Sequence, residues 1–252
     1  MSAIHLKING AVAELLIDNP DKLNALTITM LESLEAHCNS IEKDNCVRVV
    51  LLRAEGDRAF CVGADINAWG NLPPFEFARQ WVRNGHRAFD RLAQLPQPTI
   101  AVISGPAFGG GLELATACDL RIMTPEANLA LPETGVGIVP GWSGTQRLCR
   151  HLPPAVMNEM LFAGRQLTAE RAFDLGFINE VSATPYKAAL KMADEITSKS
   201  SDAIEVSKYL MRTGMGEGAD SAVEAMAGGM MAASDDKTEG VASFREKRKP
   251  NF

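Results

Sequence analysis

Apolar, β-branched-rich runs occupy residues 11–18 and 47–53, and between them Leu31, Leu34, Cys38 and Ile41 recur at helical spacing. Short runs of that kind suit strands, and three- to four-residue recurrence suits one buried helix face. A second cycle follows: a helix over 79–95 stopped by Pro96 and Pro98, a buried strand over 99–103, a helix over 111–117 and a strand over 120–123. Strands alternating with helices predict α/β organisation. From about Pro154 onward the pattern turns mostly helical, with segments at 155–162, 169–175, 186–198, 203–211 and 221–233. Residues 1–190 therefore read as the core and 191–252 as a helical appendage. Within the appendage, A225-M-A-G-G-M-M-A-A-S234 mixes small residues with methionines, which suits close helix packing or a subunit contact.

Composition narrows the class. A chain of 252 residues, 46% hydrophobic and 22% charged, is long enough to bury a sizeable core. Its apolar runs fall far short of the roughly 20 residues that a membrane span needs, and the amino terminus carries no export or organelle signal. Five cysteines without C-x-x-C spacing suggest neither a disulfide framework nor a zinc site, so a reducing cytoplasm is expected. The net charge of −6 does not favour a polyanion, so no nucleic-acid partner is expected.

The candidate chemistry lies in three stretches: R58-A-F-C-V-G-A-D-I66, S104-G-P-A-F-G-G-G-L-E-L-A115 and L129-A-L-P-E-T-G-V-G-I-V-P-G-W-S-G-T-Q-R147. In the second, glycines precede a helical pattern, so first-turn amides point out of a positive helix end and no side chain blocks a carbonyl group from approaching. In the first, Gly63 allows a sharp turn, Ala64 presents an amide beside a small side chain, and Asp65 is placed to cap a short helix starting near Ile66. A tight turn with no ligand is the alternative reading of either stretch. Glu113 lies three residues after Gly110, on nearly the same helix face, and Glu133 follows Leu131-Pro132 in a glycine-rich loop. Taken singly, Glu113 reads as an acid that complements the helix dipole and Glu133 as a solvated loop acid. Together, free amides for an oxyanion and two carboxylates in different protonation states point to hydration of a thioester-conjugated double bond.

The order of these motifs resembles the crotonase family, also called the enoyl-CoA hydratase/isomerase family, over nearly the whole chain. N19-P-D-K-L-N-A-L26 is similar to its early CoA-binding loop, and G164-R-Q-L-T-A-E-R-A-F-D-L-G-F-I-N-E-V181 and F244-R-E-K-R-K-P-N-F252 also match its pattern. The resemblance implies a crotonase-like spiral of repeated ββα units with a C-terminal helical trimerisation region, assembling as a homotrimer or as a hexamer of two trimers. It implies oxyanion amides at Ala64 and Gly110 and the acid pair of hydratase members at Glu113 and Glu133. It also implies CoA-ester contacts at Lys22, Ala25, Asp65, Ile66 and Asn67, together with Ala64 and Gly110, and a backbone position near the catalytic water at Gly141. Reversible syn addition of water to a 2-trans-enoyl-CoA is the expected reaction, with an acyl-CoA thioester as partner, no metal and no cofactor beyond the CoA of the substrate. Two positions depart from the pattern. Trp142 and Ser143 stand where hydratases commonly have small residues, so a large ring there either reshapes the acyl pocket or packs elsewhere. Asn67 stands where a basic residue is frequent.

Two rivals remain at this level. An isomerase moving a double bond needs a single glutamate, and a non-catalytic CoA-ester or RNA-binding member needs neither. His5, His37, His86 and His151 lack metal-ligand spacing, G141-W-S-G144 lacks the G-x-S-x-G of a nucleophile elbow, and no G-x-G-x-x-G follows a strand.

Overall fold

The computed structural model describes residues 2–216 and 219–252. They divide into two compact units, Met1–Ser201 and Asp202–Phe252.

In the first unit, β1 (Ala3–Asn9) and β2 (Val12–Asp18) form an antiparallel hairpin around Gly10, at φ 59, the left-handed geometry that a two-residue hairpin loop favours. α1 (Ile28–Glu42) follows; its Thr27 cap accepts from the Met30 amide at 3.3 Å, and it buries Met30, Leu31, Leu34, Cys38 and Ile41. β3 (Val49–Ala54) then pairs parallel to β2. Two short helices, α2 (Ile66–Trp69) and α3 (Pro74–Glu76), lead through a wide π turn over Phe77–Val82 into α4 (Arg83–Ala93), which packs along α1. β4 (Thr99–Ile103) returns beside β3.

Next come β5 (Ala107–Phe108), α5 (Gly110–Thr116), β6 (Leu120–Met123), β7 (Asn128–Ala130), α6 (Gly144–His151), α7 (Pro154–Ala163), β8 (Leu167–Thr168), α8 (Ala169–Asp174), β9 (Glu180–Val181) and α9 (Pro185–Thr197). The main sheet runs β1-β2-β3-β4-β6-β9, and every pair after the hairpin is parallel. Parallel strands covered on both faces read as near-continuous apolar runs, and β3 and β4 do so apart from Arg53 and Thr99. Their alternate side chains feed two clusters. Val50, Leu52, Ala101 and Ile103 pack with α1 and α4, while Val49, Leu51, Ile100 and Val102 pack with Ala189 and Ala193 of α9.

A second ladder, β5-β7-β8, is extended by two isolated bridges, Leu26 to Ala64 and Cys61 to Ala107. These bridges bring the loops after β2, β3 and β4 side by side.

The second unit holds α10 (Ser201–Gly214) from its second residue on, α11 (Ala219–Ala232) and α12 (Asp235–Glu246). Met230 and Met231 are exposed, as the small-residue and methionine pattern suggested. In α12, Ser234 caps the helix through the Lys237 amide, and Arg248 pairs with Glu239. The structure thus has the α/β organisation expected from the alternating pattern, with helices following in the carboxyl-terminal part.

Candidate active site

The stacked loops create a cavity of about 150 Å³ that gathers Ala64, Ile66, Gly110, Glu113, Glu133 and Gly141. Its outer rim is apolar and exposed at Ile66, Val136 and Val139, and its inner end is buried at Glu113 and Trp142.

The two turns that carry the candidate amides touch. Gly63 has φ 103, and a Cβ there would stand 3.2 Å from the Gly110 nitrogen and 3.1 Å from the Phe108 carbonyl oxygen. Gly109, at φ 51, turns the chain from β5 into α5, and a Cβ on it would meet Glu133 Oε1 at 2.7 Å. Side chains at either position would collide with the site, so glycine is needed for space as well as for backbone freedom. Around them the backbone is paired: Leu26 N–H donates to the Gly63 carbonyl, Asp65 N–H to the Leu26 carbonyl, Phe108 N–H to the Cys61 carbonyl and Gly109 N–H to the Ala130 carbonyl. Among the described residues, the Ala64 and Gly110 amides donate to no protein acceptor. Two adjacent unpaired N–H groups, one of them at a helix start, form a ready oxyanion site.

Glu113 rises from the first turn of α5, but its carboxylate is not held by its own helix. Oε1 accepts from the Trp142 and Gly144 amides, each at 2.8 Å. Gly144 is the first residue of α6, so the acid also sits at that helix's positive end. Burial pushes the Glu113 carboxyl up, opposed by the amides of Trp142, Gly144 and Gly141 and by the charge of Arg147. Several amide donors favour the ionised form.

Glu133 is different. It is buried at the start of a 3-10 turn over Glu133–Val136, and its Oε2 has no hydrogen-bond partner among the described residues. Burial, with Glu113 nearby adding repulsion, pushes its carboxyl up to about 7. Two acids sharing one cavity thus have unlike surroundings, one solvated by several amides and the other with one oxygen unpartnered and only its own backbone amide to oppose burial.

Lys22, Ala25, Asp65 and Asn67 do not line the cavity. Asp65 caps α2 by accepting from the Asn67 amide at 3.0 Å, and Lys22 Nζ reaches Asp65 Oδ2 at 2.6 Å. That ion pair, together with the Asn67 donors, holds the Asp65 carboxyl below the usual range. Ala25 is buried, and its carbonyl accepts from Asn19 Nδ2 at 2.7 Å. These residues fix the loop beside the cavity mouth. The Cys61 thiol, buried under the first turn, is pushed up to about 12 and is no nucleophile near neutral pH.

Sequence reasoning missed what supports Glu113. Ser143 adopts φ 73, unusual for a residue other than glycine, and its hydroxyl meets His86 Nδ1 of α4 at 2.6 Å. One turn further along both helices, Arg147 pairs with Asp90 at 2.5 Å. The four-residue spacing of His86 with Asp90 and of Ser143 with Arg147 is a signal that two helix faces meet, visible only once the helices are paired.

Comparison with known proteins fits this geometry. The family model described as enoyl-CoA hydratase/isomerase matches residues 7–252. The chain belongs to the enoyl-CoA hydratase/isomerase family. Among its relatives, the crotonyl-CoA hydratase of Syntrophomonas wolfei is 36% identical over 253 residues, covering 99% of this chain and 97% of that protein. The mouse enoyl-CoA hydratase domain-containing protein 2, mitochondrial, is 36% identical over 252 residues, covering 97% of this chain and 85% of that one. The crystal structure of an enoyl-CoA hydratase from Bacillus anthracis superposes with a TM-score of 0.82 at 30% identity, covering 99% of this chain and 98% of that one. The crotonase fold expected from the sequence is therefore the fold of this family member.

Proposed function

We propose that this protein is an enoyl-CoA hydratase, adding water reversibly and in syn fashion to a 2-trans-enoyl-CoA to give a 3-hydroxyacyl-CoA. The observation that carries the reading is the pair of acids in unlike environments facing one cavity with two unpaired amides. The Ala64 and Gly110 N–H groups take the thioester oxygen, and losing one such donor typically costs about 3 kcal/mol of transition-state stabilisation. Glu113, as carboxylate, removes a proton from water as its oxygen bonds to Cβ. The double-bond electron pair moves through Cα onto the thioester oxygen, and the enolate then collapses by taking a proton at Cα from Glu133. The pair begins and ends with one proton between its members, which exchange with solvent resets. Gly141 lines the same cavity with its amide beside the Glu113 carboxylate, which suits it to help position the water that Glu113 deprotonates.

The CoA portion lies outside the cavity, along Lys22, Ala25, Asp65, Ile66 and Asn67. The reaction needs no metal and no cofactor beyond the CoA of the substrate. Exposed Met230 and Met231 support a subunit contact in a homotrimer or a hexamer of two trimers. Among the described residues no helix is long and apolar enough to cross a membrane; we place the enzyme in the cytoplasm, with no nucleic-acid partner.

An isomerase would need only one acid, and a second one, Glu133, lining the same cavity as Glu113 favours hydration over that alternative. Incubation in ¹⁸O-water separates the two, because only hydration carries solvent oxygen into product. Glu113→Gln and Glu133→Gln are each expected to cut turnover by about 10³-fold or more while CoA-ester binding survives, general acid–base groups contributing roughly 10²–10⁴ each. Wild-type turnover in either variant removes that residue from the mechanism.

A further inference from the structure

The buried end of the cavity is an indole. Trp142 follows the glycine at the water position, and its ring does not leave the site. The six-membered edge lies against the oxyanion turn, where a Cβ on Gly110 would meet Cζ3 at 2.7 Å and Cε3 at 2.9 Å. The opposite edge fills the space left by Gly85 of α4, where a Cβ would meet Nε1 at 2.0 Å and Cδ1 at 2.2 Å. The ring is thus wedged between two glycines that make room for it.

It is also held there. Trp142 Nε1 donates to the Trp81 carbonyl at 3.3 Å, and the ring packs on Trp81 and Phe89 with centroids 4.9 and 5.3 Å away. Its own backbone amide is committed to Glu113. Anchored on ring, indole nitrogen and backbone, the side chain is a fixed wall of the pocket.

On the hydratase reading, the rest of the geometry sets where an acyl chain runs. The bulky CoA portion enters by the exposed rim at Ile66, Val136 and Val139. The thioester oxygen rests on Ala64 and Gly110, and Cα and Cβ face the two acids. Carbons beyond Cβ therefore point away from the rim, toward the buried end that Trp142 occupies. At about 150 Å³, the cavity is smaller than the roughly 300–1,000 Å³ of common small-molecule sites. We propose that Trp142 is the specificity-determining residue for acyl length, stopping the pocket just beyond Cβ and restricting the enzyme to short 2-enoyl thioesters of about four carbons.

The test compares kcat/KM for but-2-enoyl-CoA and dec-2-enoyl-CoA in the wild type, Trp142→Phe and Trp142→Leu. The wild type is expected to favour the four-carbon ester by roughly 10²-fold, the order of discrimination an apolar pocket achieves against a misfitting methylene. Both variants are expected to lower that ratio at least tenfold, Leu further than Phe. Trp142→Phe keeps a ring against Trp81 and Phe89, so it carries the test should Trp142→Leu not fold. Calorimetric binding of butanoyl-CoA and decanoyl-CoA to the wild type reads the same preference without turnover. Equal binding or equal turnover of short and long esters by the wild type overturns the proposal, as does a ratio that neither substitution shifts. A wild type that binds only short esters but hydrates none would overturn the hydratase reading and leave the pocket wall standing.

Discussion

Glu133→Gln should make this protein more stable at alkaline pH while disabling it. Lifting the buried carboxyl from its ordinary 4.5 to about 7 amounts to roughly 3 kcal/mol, at about 1.36 kcal/mol per pH unit. The sign follows from proton binding. Between pH 4.5 and about 7 the folded protein keeps the Glu133 proton and the unfolded chain has released it, so unfolding loses a proton and stability falls as pH rises. Above about 7 both states are ionised and the full cost is present. A glutamine of the same shape carries no charge to desolvate, so this contribution disappears. Any fixed cost of the new amide cancels when one protein is compared with itself at two pH values. Urea unfolding at pH 5 and pH 8 should therefore show the wild type losing about 2–3 kcal/mol more than the variant across that interval. Parallel pH dependences in the two proteins would refute the idea that burial outweighs what compensates the Glu133 charge, and with it the basis for its role as proton donor.

Three further outcomes follow from the site. Turnover should fall about tenfold per pH unit above about 7 as Glu133 ionises, in hydration and dehydration alike, because the pair holds one proton in either direction; a flat profile from pH 7 to 9 with chemistry rate-limiting excludes this assignment. Gly109→Ala should lower kcat by 10²-fold or more through displacement of Glu133, since its Cβ would lie 2.7 Å from Oε1 at a φ of 51, and near-normal kcat would show that the acid can retreat without penalty. His86→Ala should release the Ser143 turn and lower kcat about tenfold or more by misplacing the amides on Glu113, whereas adding Ser143→Gly, which tolerates φ 73 unaided, should restore much of the loss; absence of rescue would assign His86 another role.

The strands and helices with strong periodicity were readable in the chain itself. β3 and β4 hold the apolar runs over 49–52 and 100–103 because both faces are covered, and α1 shows its buried stripe at Leu31, Leu34, Cys38 and Ile41. β1 also carries a strand signal, Ile4, Leu6 and Ile8 alternating with His5, Lys7 and Asn9, which the longer apolar runs beside it overshadowed. β5, β7, β8 and β9 are two or three residues long, too short for any period to register. At the site, Ala64, Gly110, Glu113, Glu133 and Gly141 could be picked out from glycine placement and family resemblance, and one cavity gathers them. The cradle of Trp142 and Gly144 amides around Glu113 could not, because nothing local to Glu113 announces donors some thirty residues away. A still longer separation, more than fifty residues, hid the Trp81, Phe89 and Trp142 cluster, which exists only where α4 and the turn before it meet the start of α6.

The loops that carry the oxyanion amides and Glu113 are joined like adjacent stairs, with Leu26 bridged to Ala64, Cys61 to Ala107, and Ala107 in turn to Leu129. Each tread borrows its footing from the one before, and the stretch between Leu131 and Gly144 lands back on the stair at its far end, where Trp142 packs on Gly110 and donates its amide to Glu113. Variation confined to residues 133–141 of that stretch can swap a proton donor while the bridges that hold the oxyanion amides stay in place. The staircase thereby separates what every reaction on this scaffold must share from what a new one must change.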